Sequence, residues 1–75
     1  MNGDFYLVIR CFIKNGNESH SVEMKQTFDD AEKRFYSIID SDINNNEITY
    51  MAAFVIRGSD GSLELSKVKD RRTEE

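Results

Sequence analysis

The stretch Phe5–Lys14, Phe-Tyr-Leu-Val-Ile-Arg-Cys-Phe-Ile-Lys, constrains this chain more than any other. Its β-branched and aromatic residues favour an extended backbone. On a strand, neighbouring side chains point to opposite faces. One face then carries Phe5, Leu7, Ile9, Cys11 and Ile13, all apolar. The other carries Tyr6, Val8, Arg10, Phe12 and Lys14, which is mixed. A strand apolar on one side and half apolar on the other belongs in the middle of a sheet.

Asn15-Gly16 follows, the strongest short signal for a hairpin, because a type I′ turn needs positive φ at both central residues. The second strand is expected over Glu18–Gln26. A two-residue loop sets Ile9 opposite Val22, Leu7 opposite Met24 and Cys11 opposite His20; a four-residue loop shifts the partners but keeps Val22 and Met24 on the apolar side. On the other face Val8 meets Glu23 and Tyr6 meets Lys25. With Ser19, Ser21, Glu23 and Lys25 on one side, this reads as an edge strand.

Thr27 is a good helix N-cap, and Asp29 and Asp30 suit the positive end of the helix dipole. The helix is expected from Phe28 to Ser41. Phe28, Ala31, Phe35, Ile38 and Ile39 form one stripe at a 3.6-residue period, with Tyr36 at its margin. Asp29/Lys33 and Asp30/Arg34 are i,i+4 pairs with the acid first. Asn44-Asn45-Asn46 ends the helix.

Ile48–Arg57 reads as a second central strand. Its faces are Ile48, Tyr50, Ala52, Phe54, Ile56 and Thr49, Met51, Ala53, Val55, Arg57. Gly58–Gly61 is a second hairpin turn, and Ser62–Lys69 the fourth strand, with Leu63 and Leu65 beside Phe54 and Ile56. Arg57 comes near Glu64. From residue 70 to residue 75 there is no apolar side chain, so residues 1–69 form one domain and 70–75 a disordered charged tail.

Two hairpins joined by one helix give a two-layer α+β fold, ββαββ. Its four-stranded antiparallel sheet has the order 2-1-3-4, with the second and third strands joined by a right-handed crossover. Apolarity assigns the helix to the face of Phe5, Leu7, Ile9, Val22, Met24, Tyr50, Phe54, Ile56, Leu63 and Leu65. The uncovered face then carries Tyr6, Val8, Phe12, Met51, Ala53, Val55 and Val68, ringed by Arg10, Lys14, Lys25, Glu23, Glu64 and Arg57. Apolar side chains rimmed by arginine compose a binding surface. Tyr6, Val8, Arg10, Phe12, Met51, Ala53, Val55, Arg57 and Val68 are therefore the expected interface.

Composition sharpens that expectation. A chain of 75 residues sits near the limit of independent stability and needs a staple. One cysteine forms no internal disulfide, and one cysteine with one histidine is too few for structural zinc. Association remains, so a homodimer through the open sheet face is expected, with edge pairing of an outer strand second.

Little points to catalysis. Cys11 and His20 face each other, but nothing supplies a third member or an oxyanion site. Asp29/Asp30 is explained by capping, and Asp40/Asp42 reads as a solvated helix end. No glycine-rich loop leads into a helix, so no phosphate-binding fingerprint is present. No enzyme activity, cofactor or metal is expected. Tyr6, Phe12, Arg10, Lys14 and Arg57 share one face, as on sheets that stack bases. The net charge of −4, with Glu23 and Glu64 on that face, argues against nucleic acid. Met1-Asn2-Gly3-Asp4 lacks the basic start and apolar run of a signal peptide, and no segment approaches a membrane span, so a cytoplasmic location is expected.

The pattern Tyr6-Leu7-Val8-Ile9-Arg10, Lys14-Asn15-Gly16-Asn17-Glu18-Ser19, a capped helix with Phe35 and Ile38, then Asp42-Ile43 and Ile48-Thr49-Tyr50 before a Gly-turn hairpin, resembles small uncharacterised proteins encoded by phages and prophages of Gram-positive gut bacteria. The resemblance covers nearly the whole chain, rests on fold-determining residues and transfers no site. It implies a setting in which small acidic proteins act by binding. They inhibit host defence proteins, trap signalling nucleotides or serve as accessory components. Three functions follow as expectations. The first is a dimeric blocker of a host protein. The second is an oligomeric trap for a small anionic nucleotide, using Arg10, Arg57, Arg71 or Arg72. The third is a structural phage component.

Overall fold

The computed structural model describes residues 4–72. Its elements are β1 Tyr6–Lys14, β2 Asn17–Lys25, α1 Phe28–Ile43, β3 Ile48–Arg57 and β4 Leu63–Asp70. The strands form one sheet in the order β2-β1-β3-β4, every neighbouring pair antiparallel. This is the ββαββ arrangement that the sequence pattern dictates.

Local chemistry accounts for the elements. Asn15 and Gly16 both take positive φ, 54° and 82°, so the first hairpin closes in two residues. Lys14 then pairs with Asn17, and the pairs Ile9–Val22, Leu7–Met24 and Cys11–His20 follow. The Thr27 hydroxyl accepts the Asp30 N–H at 3.2 Å and caps α1. Asp29 pairs with Lys33 at 3.3 Å. Arg34 turns to Glu23 on β2, at 2.8 Å, and not to Asp30. The helix ends at Asn44 with φ −99°, and the Asn45 N–H closes its last turn on the Asp42 carbonyl at 3.2 Å.

The helix lies on the opposite sheet face from the one that apolarity suggests. Val8, Met51, Ala53 and Val55 are buried against Ala31, Phe35 and Ile38, with Ile48 beside them. Tyr6, Phe12, Phe28, Ile39 and Leu65 close the margins. Leu7, Ile9, Phe54 and Ile56 point away from the helix, since strand neighbours alternate.

Chirality explains this. In a two-residue hairpin the flanking pair, Lys14–Asn17, exchanges backbone hydrogen bonds, so the even-numbered residues of β1 direct theirs toward β2. The odd-numbered ones face β3, as the Gly58 N–H donating to the Phe5 carbonyl at 2.7 Å confirms. For L-residues this fixes the sides: viewed from the even-numbered face with β1 running upward, β2 is on the right and β3 on the left. A right-handed crossover from β2 to β3 then passes only over the even-numbered face.

Three further differences have local causes. A bulge between Val55 and Ile56 pairs Leu65 with Val55 but Leu63 with Ile56. Leu65 therefore points to the helix, while Leu63 and Val68 point away from it. Asp42 is not solvated but 2% exposed. The expected tail is ordered as far as the description reaches. β4 includes Asp70, and the Arg71 N–H donates to the Thr49 carbonyl at 2.8 Å. An Arg71 guanidinium N–H donates to the Ile43 carbonyl at 2.7 Å. Residues 73–75 of that tail lie outside the described residues.

Candidate functional site: the open sheet face

The expected interface residues are now placed. Val8, Met51, Ala53 and Val55 form the floor under α1 and are closed to any second molecule. Tyr6 packs edge-on against Phe28 at 5.6 Å, and Phe12 lies at the core margin. Arg10 reaches across the sheet to Asp42 with Nε at 2.9 Å and Nη2 at 2.6 Å, its guanidinium 4.3 Å over the Phe12 ring. Arg57 sits among Asp4, Asp60 and Glu64, at 3.7, 3.9 and 3.2 Å. Its Nε, 3.7 Å from Asp4, is too distant for a hydrogen bond and has no other partner. Only Val68 of the set lies on the open face, and it is half exposed.

The charges on the helix side thus do structural work. Asp42 stands at the negative end of the helix dipole, where a buried carboxylate is doubly unfavourable. The bidentate Arg10 guanidinium compensates it and ties the end of α1 to the middle of β1. Glu23 binds the other flank of α1. Partial burial pushes its carboxyl upward, but the Arg34 guanidinium and the Lys25 ammonium outweigh this and hold it below the usual range.

The open face is built from the odd-numbered residues of β1, the even-numbered residues of β2 and those of β3 from Tyr50 onward, with Leu63, Ser66, Val68 and Asp70 of β4; a register shift beside Ile13 turns Ile48 to the helix side. It falls into four rows. Met24, Leu7, Ile56 and Leu63 lie at one end, then Val22, Ile9, Phe54 and Ser66. Next comes a row of smaller residues, His20, Cys11, Ala52 and Val68, and last Glu18, Ile13, Tyr50 and Asp70. Val22, Met24 and Leu63 are 58%, 59% and 58% exposed. Ala52 is sunk to 1% between its neighbours Tyr50 and Phe54. The third and fourth rows frame a depression of about 410 Å³, lined by Cys11, Ile13, Glu18, His20, Tyr50 and Arg72 with Phe12 and Ser19.

Arg72 covers the polar end, its guanidinium 4.7 Å from the Tyr50 ring centre and doubly bonded to Asp70 at 2.9 Å. That pairing, with the Arg72 N–H on the same carboxylate, lowers the Asp70 pKa to about 2. The anion-trap arginines are accordingly occupied: Arg10 by Asp42, Arg57 by three carboxylates, Arg71 by a carbonyl and Arg72 by Asp70. Cys11 and His20 are strand partners as expected, at the edge of the shallow depression. Among the described residues, no three His, Cys, Asp or Glu side chains gather as metal ligands, and no helix is long and apolar enough to cross a membrane.

The outer side of α1 offers a different surface. Asp29, Glu32, Lys33, Ser37 and Asp40 surround Tyr36, which is half exposed. It is polar and shallow. The side chains that sequence reasoning missed as surface, Leu7, Ile9, Val22, Met24, Phe54 and Ile56, were visible as an apolar set. Hairpin parity combined with crossover handedness was the signal that would have turned them outward. No protein-family model, no curated protein and no solved structure matches the chain.

Proposed function

We propose that this chain is a non-enzymatic binding protein whose working surface is the open sheet face. One observation carries the reading: a sheet face of aliphatic and aromatic side chains, four of them more than half exposed, has no layer of the described residues over it. Contiguous apolar patches of that extent mark interaction surfaces. In the phage setting that the resemblance implies, small acidic proteins act by binding, and such a surface suits that role. The nucleotide trap gains no support, because its arginines already hold partners.

Cys11, the only cysteine, stands in the middle of the face and serves as a reporter. Its alkylation rate should fall when the chain is moved from dilute buffer into the cells that express it. Ile9→Asp should restore the fast rate, whereas Lys33→Ala on the outer helix surface should not. A thiol equally reactive in cells and in dilute buffer would overturn the reading.

A further inference from the structure

We infer that the occupant of the open face is a second copy of this chain, docked sheet to sheet about a two-fold axis. The axis lies between the sheets and crosses the strands between the Ile9–Phe54 row and the Cys11–Ala52 row. This deepens the binding reading above and rests on it.

Area is the first argument. Four strands at ~4.8 Å spacing and about eight residues at ~3.4 Å rise give a face of roughly 19 by 27 Å. That footprint is on the order of 500 Å², and the accessible area of protruding side chains is larger. A stable pair of proteins buries about 800 Å² on each side. The whole face is thus about the size that one partner needs, and a second such face fits it edge to edge.

Shape is the second argument. A row of large side chains, Ile9 and Phe54, runs beside a row of small ones, Cys11 and Ala52. A two-fold axis between these rows lays each large row on the partner's small row. Phe54 then lies over the partner's Ala52, and Ile9 over the partner's Cys11. Packed sheets sit ~10 Å apart with interdigitating side chains, so large against small is the arrangement that fills the space. An axis running along the strands instead stacks Cys11 on the partner's Ala52 and leaves a void at the centre.

Charge is the third. The two central rows carry no formal charge with His20 neutral, and Glu18, Asp70 and Arg72 all lie at one end. The row-exchanging axis sends that end over the partner's Met24 and Leu63, at the rim, where no like charges meet. Glu18 comes opposite the partner's Met24.

The full chain is tested by light scattering across a concentration series. The expected mass is about twice 8.7 kDa. Phe54→Ala, which removes the large member of the facing pair, and Ala52→Phe, which sets ring on ring, should each weaken the dimer at least ~10-fold. Combining the two should recover most of the loss, since large and small merely change places. Met24 is too exposed for its replacement to threaten folding, and it supplies an independent pair. Met24→Lys, facing Glu18 of the partner subunit, should tighten the dimer severalfold, and Met24→Glu should loosen it. Equal loosening by both Met24 variants, or no recovery in a folded double variant, overturns the row-exchanging geometry. A monomer up to about 1 mM, far above a useful affinity, overturns the second copy as occupant. If Cys11 is still shielded in cells, the binding reading survives that result; if it is not, both fall.

Discussion

The two faces of this sheet differ in a way that simple hydrophobic counting gets backwards. The helix side carries Arg10, Glu23, Arg57, Lys67 and Lys69, yet it is the covered one. The open side carries almost nothing but aliphatic and aromatic residues along β1 and β3. Two of these charges are answered from the helix itself, Arg10 by Asp42 and Glu23 by Arg34. A charge in a strand is therefore no mark of a solvent face when the opposing layer can supply its counter-ion. The greasier face was left open because backbone chirality, not apolar area, decides where a crossover runs.

The contrast can be broken most sharply by placing the same charge on either side. Val55→Asp, under the helix, leaves a carboxylate without a partner and should cost about 4–5 kcal/mol or more. A 75-residue domain has on the order of 4–11 kcal/mol in all, so thermal unfolding should show most or all of the transition lost. Val22→Asp, on the open side, should leave the fold within ~0.5 kcal/mol of the parent at a concentration where both are monomeric.

Removing one member of the ion pair across the helix side is the next test. Asp42→Ala strands Arg10 and should cost about 3–5 kcal/mol, while Arg10→Met with Asp42→Leu should recover much of it. Denaturant titration of the three chains decides, and additive losses would show that the pair is not a unit.

A smaller effect is expected where the open side is tightest. The Phe5 ring lies directly on Gly58, where an added methyl group would enter the ring's own volume. Gly58→Ala should cost about 1–3 kcal/mol. At ~4–8 °C per kcal/mol for a domain of this size, a melting temperature within 2 °C of the parent would show that Phe5 has another resting place.

The smallest effect belongs to the polar end of the open side. Asp70 should titrate near 2, against an ordinary 3.8, in a pH series followed by carboxyl carbon shifts. A carboxylate depressed in the folded chain stabilises it above the ordinary value, and that contribution disappears as pH falls through about 2. Arg72→Ala should return Asp70 toward 3.8.

Much of the fold is legible in the residues themselves. Asn15-Gly16 sets the hairpin register, Thr27 the start of the helix, and the stripe of Ala31, Phe35 and Ile38 its buried side. These are local signals, read within a few positions. What escapes is relational. Asp42 and Arg10 are 32 residues apart, and nothing near Asp42 announces a partner. The bulge opposite Ile56 changes the phase of β4 after Leu63, so alternation alone misplaces Leu65. One sheet face is uncovered among the described residues, as the element order implies, but the residue set expected there, Tyr6 to Val68, belongs almost wholly to the other side.

The turn at Asn15-Gly16 carries a consequence well beyond its two residues. Its length determines which set of β1 side chains shares a rung with β2, and so which surface the chain later wraps. Lengthening that turn so that Ile13 and Glu18 become the closing rung would turn the molecule inside out without altering a single hydrophobic residue. What this corner must conserve is therefore its closing rung, Lys14 with Asn17, rather than any particular side chain.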